Sequence, residues 1–285
     1  MKNIVNAARA ALQWRLLLVW LGASLLPTLL LAVPMWSTLS AALDHSVRAA
    51  ALAQELDLAA LTDLAAAIGE NKLAFRAGGV AAIVLLLLLS PFLTGAVVTA
   101  ARSPQPARFG VLFAGGMAEY PRMFRMLLWA VVPFGVAGAI GGKLADLATD
   151  HAKKAVLYSD AQLGDMAAIA ATVLLLLLAN ATLDAGRAAL AADRRRSSAV
   201  KGWWRGLKLL ARRPGAALGA YAALTACGAL LAALLGIARI NIPAASTAGW
   251  IAAFAVTQLI VLLIAWMRTA RLFALVSLAG IVHKD

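Results

Sequence analysis

Six stretches of this chain are too long and too apolar for a water-soluble fold: residues 16–36, 77–100, 126–144, 166–183, 215–238 and 248–268. The segments Ile83–Leu89, Val173–Leu178 and Leu259–Ile264 within them hold no polar side chain. A bilayer core takes about 20 apolar residues per helix. In lipid only a helix closes its backbone hydrogen bonds within one segment, and no run here alternates as a barrel strand would. The expected fold class is therefore an all-α integral membrane protein with about six transmembrane helices. Composition agrees: 63% of residues are hydrophobic and 14% charged, against about 45–50% and 25% in soluble domains. What lies between the spans suffices for connections and surface helices, so 1–285 reads as a single membrane domain.

Lysine and arginine set the orientation. With the N-terminus inside, the inner segments carry 19 of the 26 basic residues and four of the 13 acids. The outer segments keep only Arg48, Lys72, Arg76, Lys143, Lys153, Lys154 and Arg239. Both termini are expected in the cytoplasm, and the net charge of +13 is a topology signal first. Nucleic acid is not the expected partner. Tryptophans follow the same boundaries, with Trp14, Trp203, Trp204 and Trp266 inner and Trp36 and Trp250 outer, as indole prefers the headgroup level. Lys2, Arg9 and Arg15 precede the first run as in a signal peptide, but that run is too long and carries Pro27 and Pro34. It reads as a retained anchor. Cys227, the single cysteine, excludes an intramolecular disulfide and is expected to be a buried small side chain in the fifth span.

Three connections have helical grammar. The outer segment 37–75 places Leu39, Leu43 and Val47, then Leu58, Leu61, Ala65 and Ile68, at helical spacing. Asp57 can cap the second piece and Gly69 can end it, so a helical hairpin on the outer face is expected. An inner elbow at 107–118 presents Phe109, Leu112 and Phe113, with Gly115-Gly116 loosening the chain and Pro121 opening the third span. A second elbow at 198–212 starts at a serine cap and sets Val200, Trp203, Trp204, Leu207 and Leu210 on one face. Lys201, Arg205, Lys208 and Arg212 lie towards the other, and such a cationic amphipathic helix is attracted to anionic lipid. The repeated elbow–proline–span order is consistent with a duplication of three spans per half.

The segments Leu43-Asp44-His45-Ser46, Glu55-Leu56-Asp57, Phe113-Ala114-Gly115-Gly116, Tyr120-Pro121-Arg122-Met123-Phe124-Arg125 and Asp193-Arg194-Arg195-Arg196-Ser197 resemble those of a loose group of bacterial six-span integral membrane proteins. There a glycine-rich inner elbow precedes an aromatic and arginine pair. The resemblance spans most of the chain and implies a multi-pass protein of the bacterial inner membrane. It implies no activity.

Polar groups within spans are the usual pointers to function. Besides hydroxyls these are Asn180, Asp184, Arg187 and Gln258. Gln258, near mid-span, is expected to bond across helices, and Asp184 and Arg187, three apart on one face, to pair. His45, His151 and His283 have no zinc-ligand spacing, and no nucleophile elbow or phosphate loop occurs. Asp184-Ala185-Gly186-Arg187 is similar to the opening of a lipid-headgroup transferase motif, but the further aspartates do not follow. We expect no enzyme and no cofactor. Gly138 with Gly142, Gly215 with Gly219, and Gly228, Ala232 and Gly236 form small-residue faces suited to close helix packing or to a subunit interface, and Pro27, Pro91 and Pro133 are expected to kink their spans. The functional expectation is a non-catalytic inner-membrane subunit or accessory of a transport or envelope complex. Its inner elbows would contact anionic lipid, a cytoplasmic partner or a second copy. The alternatives are a stand-alone transporter or channel and, from a third class, a lipid-modifying enzyme.

Overall fold

The computed structural model describes residues 2–43, 62, 65–66, 68–69, 71–103, 105–155, 157–193, 198–243 and 246–282. Among them nine helices are delimited and no residue is in a strand: α1 Lys2–Ala10, α2 Trp14–Leu43, α3 Lys72–Arg102, α4 Phe109–Trp129, α5 Val131–Lys154, α6 Tyr158–Ala192, α7 Ala199–Arg212, α8 Pro214–Ile240 and α9 Thr247–Val282. Six stretches are long and apolar enough to cross a membrane, with α4 and α5 counted as one. The chain is an all-α, multi-pass membrane protein.

The spans are longer than hydropathy alone indicates. Helix α9 has 36 residues, about 54 Å at 1.5 Å per residue, against a hydrocarbon core of about 30 Å. The two ends of these helices differ. Towards the outer side the leucine runs face outwards, Leu86 and Leu174 being 51% and 65% exposed, as lipid-facing residues should be. Towards the other side, which the charge rule makes the inner one, Leu93–Ala100, Ala179–Ala191 and Thr269–Ala279 supply most of one buried core with Leu112, Met126 and Leu224. Helix α1, at this same end, packs on α9, and the Trp266 indole donates to the Ala8 carbonyl at 2.9 Å. Helix α1 and the C-terminal part of α9 therefore lie at one end of the bundle, as an even number of spans requires.

Two units share one order. Helix α3 carries α4 against its inner end and α6 carries α7, while α5 pairs back on α6 and α8 on α9. Glycines set both crossings. A Cβ on Gly95 would lie 2.9 Å from the Gly116 carbonyl oxygen. A Cβ on Gly206 would run into the Gly186 nitrogen, and one on Gly186 would lie 2.9 Å from the Trp203 Cα. Span, elbow and span thus follow one another in the same order twice, between α2 and α9.

Several sequence expectations are corrected. Helix α4 runs unbroken through Pro121 to Trp129, and the chain turns instead at Ala130. Pro133, three residues on, has no N–H for the Trp129 carbonyl, which accounts for the break. The third span accordingly begins at Val131, and α9 continues well past Arg268. Gly115 and Gly116 do not loosen the chain; they let α4 close on Thr99 and Phe92 of α3. Cys227 is exposed on the bundle exterior rather than buried. Gly138, Gly142, Gly215, Gly219 and Gly236 have nothing near an added Cβ, so they are not packing positions in this bundle. Gly141 packs on Thr172 and Gly228 on Met267, while Ala232 is half-buried. Lipid accepts small residues as readily as a neighbouring helix does, so spacing alone does not choose between them. Of the outer hairpin, Ser37–Leu43 belongs to α2 and Lys72–Phe75 to α3, whereas 44–61, 63–64, 67 and 70 lie outside the described residues.

The two glycine environments lead to a paired test. Gly206→Ala has to displace the Gly186 backbone and should destabilise the detergent-solubilised protein by about 1–3 kcal/mol. Gly138→Ala, in open space, should leave the unfolding temperature unchanged or slightly raised.

Candidate functional site

The inner core is organised by three carboxylates, each engaged by arginine. Glu119 sits on the buried stripe of α4 with Leu112, Gly116, Met123 and Met126, spaced four and three apart so that they share one helix face. Its Oε1 accepts from Arg102 Nη1 and its Oε2 from Arg122 Nη1, both at 2.6 Å. Both guanidiniums reach further, to the end of α6. Arg102 Nε donates to the Ala191 carbonyl at 2.7 Å. Arg122 Nη2 donates to those of Leu190 and Asp193, each at 2.7 Å. A helix leaves its last four carbonyls without intrahelical partners and carries about half a negative charge there. Two arginines held by one glutamate meet both demands and join α3, α4 and α6.

The second centre lies between spans. Asp184 Oδ1 accepts from Arg187 Nη1 at 2.7 Å, and its Oδ2 stands 4.0 Å from Arg271 Nε. Arg271 of α9 donates from Nη1 to the Tyr221 hydroxyl at 3.1 Å and to Thr225 Oγ1 at 3.2 Å, with its guanidinium over the Tyr221 ring. Asn180 Nδ2 donates to the same hydroxyl at 2.8 Å. Asn180, Asp184 and Arg187, which the sequence places at one end of a span, thus share a polar knot with α8 and α9. Gln258 does not join it: half-buried, it makes no hydrogen bond among the described residues. The hydroxyls of Ser24, Thr28, Thr94, Thr172, Thr225 and Thr257 each return to a carbonyl of their own helix, which satisfies them without a ligand.

Helix α7 is the third element. Ser198 caps it, its Oγ accepting from the Lys201 amide at 3.4 Å. The buried face is Ala199, Gly202, Gly206, Leu209 and Leu210, not the Val200–Trp204–Leu207 side. Glycine has no hydrophobicity to mark it, yet only glycine lets α7 approach Leu190 and Gly186 of α6 this closely. Trp203 is fixed by its indole N–H, which donates to Thr182 Oγ1 at 3.0 Å, and by edge contact with Trp129. Val200 and Trp204 are exposed, as are Lys201, Lys208 and Arg212. Arg205 Nη1 reaches Asp193 at 3.6 Å. Arg205, Lys208 and Arg212 form one wall of a groove of about 260 Å³, whose other walls include Ala189 and Ala192 of α6 and Ala279 of α9.

Sequence reasoning missed Glu119, Arg102, Arg122, Tyr221 and Arg271 as members of these centres. The bonds of Arg102 to α6 bridge nearly 90 positions of sequence, and in the sequence Arg271 reads only as a basic inner residue. Small residues recurring at helical spacing, Ala270, Ala274 and Ser277, were the available sign that α9 continues as a packing helix. Among the described residues no three His, Cys, Asp or Glu side chains come together as metal ligands. Comparison with protein-family models, with curated proteins and with solved structures returned no match.

The Glu119 centre has a direct test. Glu119→Gln leaves two largely buried guanidiniums without their counter-charge and should cost about 3–5 kcal/mol, read as a fall in unfolding temperature in detergent. Asp150→Asn removes the exposed pair with Lys153 and should not move it measurably.

Proposed function

We propose that the protein is a non-catalytic subunit of the bacterial inner membrane, accessory to a transport or envelope complex, whose elbow α7 holds anionic lipid headgroups at the cytoplasmic face. The observation that carries this reading is the groove beside α7, with cations on one wall and alanine side chains on the others. That combination matches the boundary between headgroup and acyl chain. Each Lys or Arg near an anionic surface contributes about 1 kcal/mol, so three cations on one short helix make a retained headgroup reasonable. The non-catalytic part rests on the engagement of Glu119, Asp184 and Asp193 by arginine, which leaves none of these carboxylates free to act as a base. A stand-alone transporter is the second reading, favoured by the polar knot around Asp184. The free space beside that knot is about 30 Å³, too little for a solute path in this conformation.

Affinity purification of the tagged protein from its own membrane in mild detergent, followed by mass spectrometry, checks both parts. We expect a co-purifying protein at fixed stoichiometry and retained anionic phospholipid. In Lys208→Ala/Arg212→Ala the retained lipid should drop severalfold. A lone monomer would remove the subunit reading, and unchanged lipid in the double variant would remove the headgroup reading of α7.

A further inference from the structure

The small cavity beside the Asp184 knot is more heavily charged than packing requires. It lies where α2, α3, α6 and α9 converge and is bordered by Trp20, Thr94, Asp184, Arg187, Arg268 and Arg271. Three guanidiniums face a single carboxylate there, so the cavity carries a formal surplus of two positive charges. Arg271 is held deep, its side chain 5% exposed. Arg268 is exposed at the bundle surface with its guanidinium over the Trp20 ring, 5.5 Å from the centroid. Among the described residues Arg268 has neither a hydrogen bond nor an ion pair. Two buried donors of cavity-lining residues, Arg271 Nε and Trp20 Nε1, also lack a hydrogen-bond acceptor. Surplus charge and orphaned donors in one place are both costly, and both costs have one remedy. Water would satisfy the donors without neutralising the charge. An anion does both.

We propose that this cavity is a binding site for a phosphate group, distinct from the groove beside α7 and independent of the function assigned to that groove. A phosphate monoester carries about −1.5 to −2 charges near neutral pH, which matches the surplus. Its tetrahedral oxygens accept from several planar guanidinium forks at once, a recognition at which arginine exceeds lysine. Arg268 sits at the surface end, where it meets the group first. Arg271, braced by Tyr221 and Thr225, forms the fixed inner wall, and Trp20 contributes its indole N–H. Asp184 keeps Arg187 in place and moderates the field. The enclosed space is only about 30 Å³, so the group docks at its mouth beside Arg268, with no more than an oxygen or two reaching inside. The phosphate is therefore either a free ion or the headgroup of a lipid whose chains remain outside the bundle.

The test uses the full-length protein in non-ionic detergent, with inorganic phosphate as one probe. Mixed micelles of phosphatidic acid, with phosphatidylcholine as control, are the other. Unfolding temperature and tryptophan emission are followed together. We expect a saturable rise in unfolding temperature, and an emission change that is lost in Trp20→Phe, which keeps a ring but removes the N–H. Arg268→Gln, at an exposed position whose contact is with the Trp20 ring, should preserve the fold and weaken binding by about tenfold or more, the worth of a charge-assisted hydrogen bond. Arg268→Lys should fall between. Saturation by inorganic phosphate assigns a free ion; a response to phosphatidic acid alone assigns a lipid headgroup. A lipid that survives purification appears in native mass spectra, is lost in Arg268→Gln and stays in Lys208→Ala/Arg212→Ala, which separates this site from the α7 groove. An equal response to chloride at matched ionic strength, unaltered affinity in Arg268→Gln, or no response and no retained lipid would overturn the proposal.

Discussion

Removing a guanidinium from water costs several kcal/mol unless a counter-charge and acceptors are waiting for it, and α3, α4 and α6 meet where two guanidiniums share both. Glu119 supplies the counter-charge for Arg102 and Arg122, and the C-terminal carbonyls of α6 supply the acceptors. Much of the inner architecture depends on that arrangement. It sets where α4 lies on α3, brings the end of α6 to the same place, and so positions the segment from which α7 folds back. Removing any one partner leaves the others buried and unmatched.

The positive-inside pattern takes on a second meaning in this light. Read along the chain, the inner arginines report orientation. Read in the folded protein, five of them, at 102, 122, 187, 205 and 271, stand against one of three carboxylates. The rest of the described inner charge includes Lys201, Lys208 and Arg212 on α7 and Arg268 beside the cavity. One residue type thus serves topology, packing and ligand attraction, and only three-dimensional placement tells these roles apart.

How much was legible in the chain follows from the same distinction. Hydropathy reads the solvent of each segment, so the six spans and the existence of α7 with its serine cap were accessible. The ends were less so. A hydropathy window stops at the first arginine, whereas α9 carries on past Arg268 because Ala270, Leu275 and Leu278 still have a core to enter. The choice of helix face was the least accessible, since Gly202 and Gly206 add nothing to an apolar stripe yet decide which side of α7 is buried. Asp184 with Arg187 was visible because helical spacing makes local pairs predictable. Glu119 with Arg102 was not, because they sit on different helices.

The uneven distribution of packing along the spans has a mechanical consequence. The inner thirds of α3, α6 and α9 are locked by ion pairs and glycine contacts, whereas their outer thirds meet lipid over much of their surface. When a bilayer thins or thickens, spanning helices accommodate by tilting. In this bundle the inner ends are tied together by ion pairs, so any such tilting falls mainly on the outer ends of the spans. A membrane of different thickness therefore meets a bundle that is stiff at one leaflet and more yielding at the other.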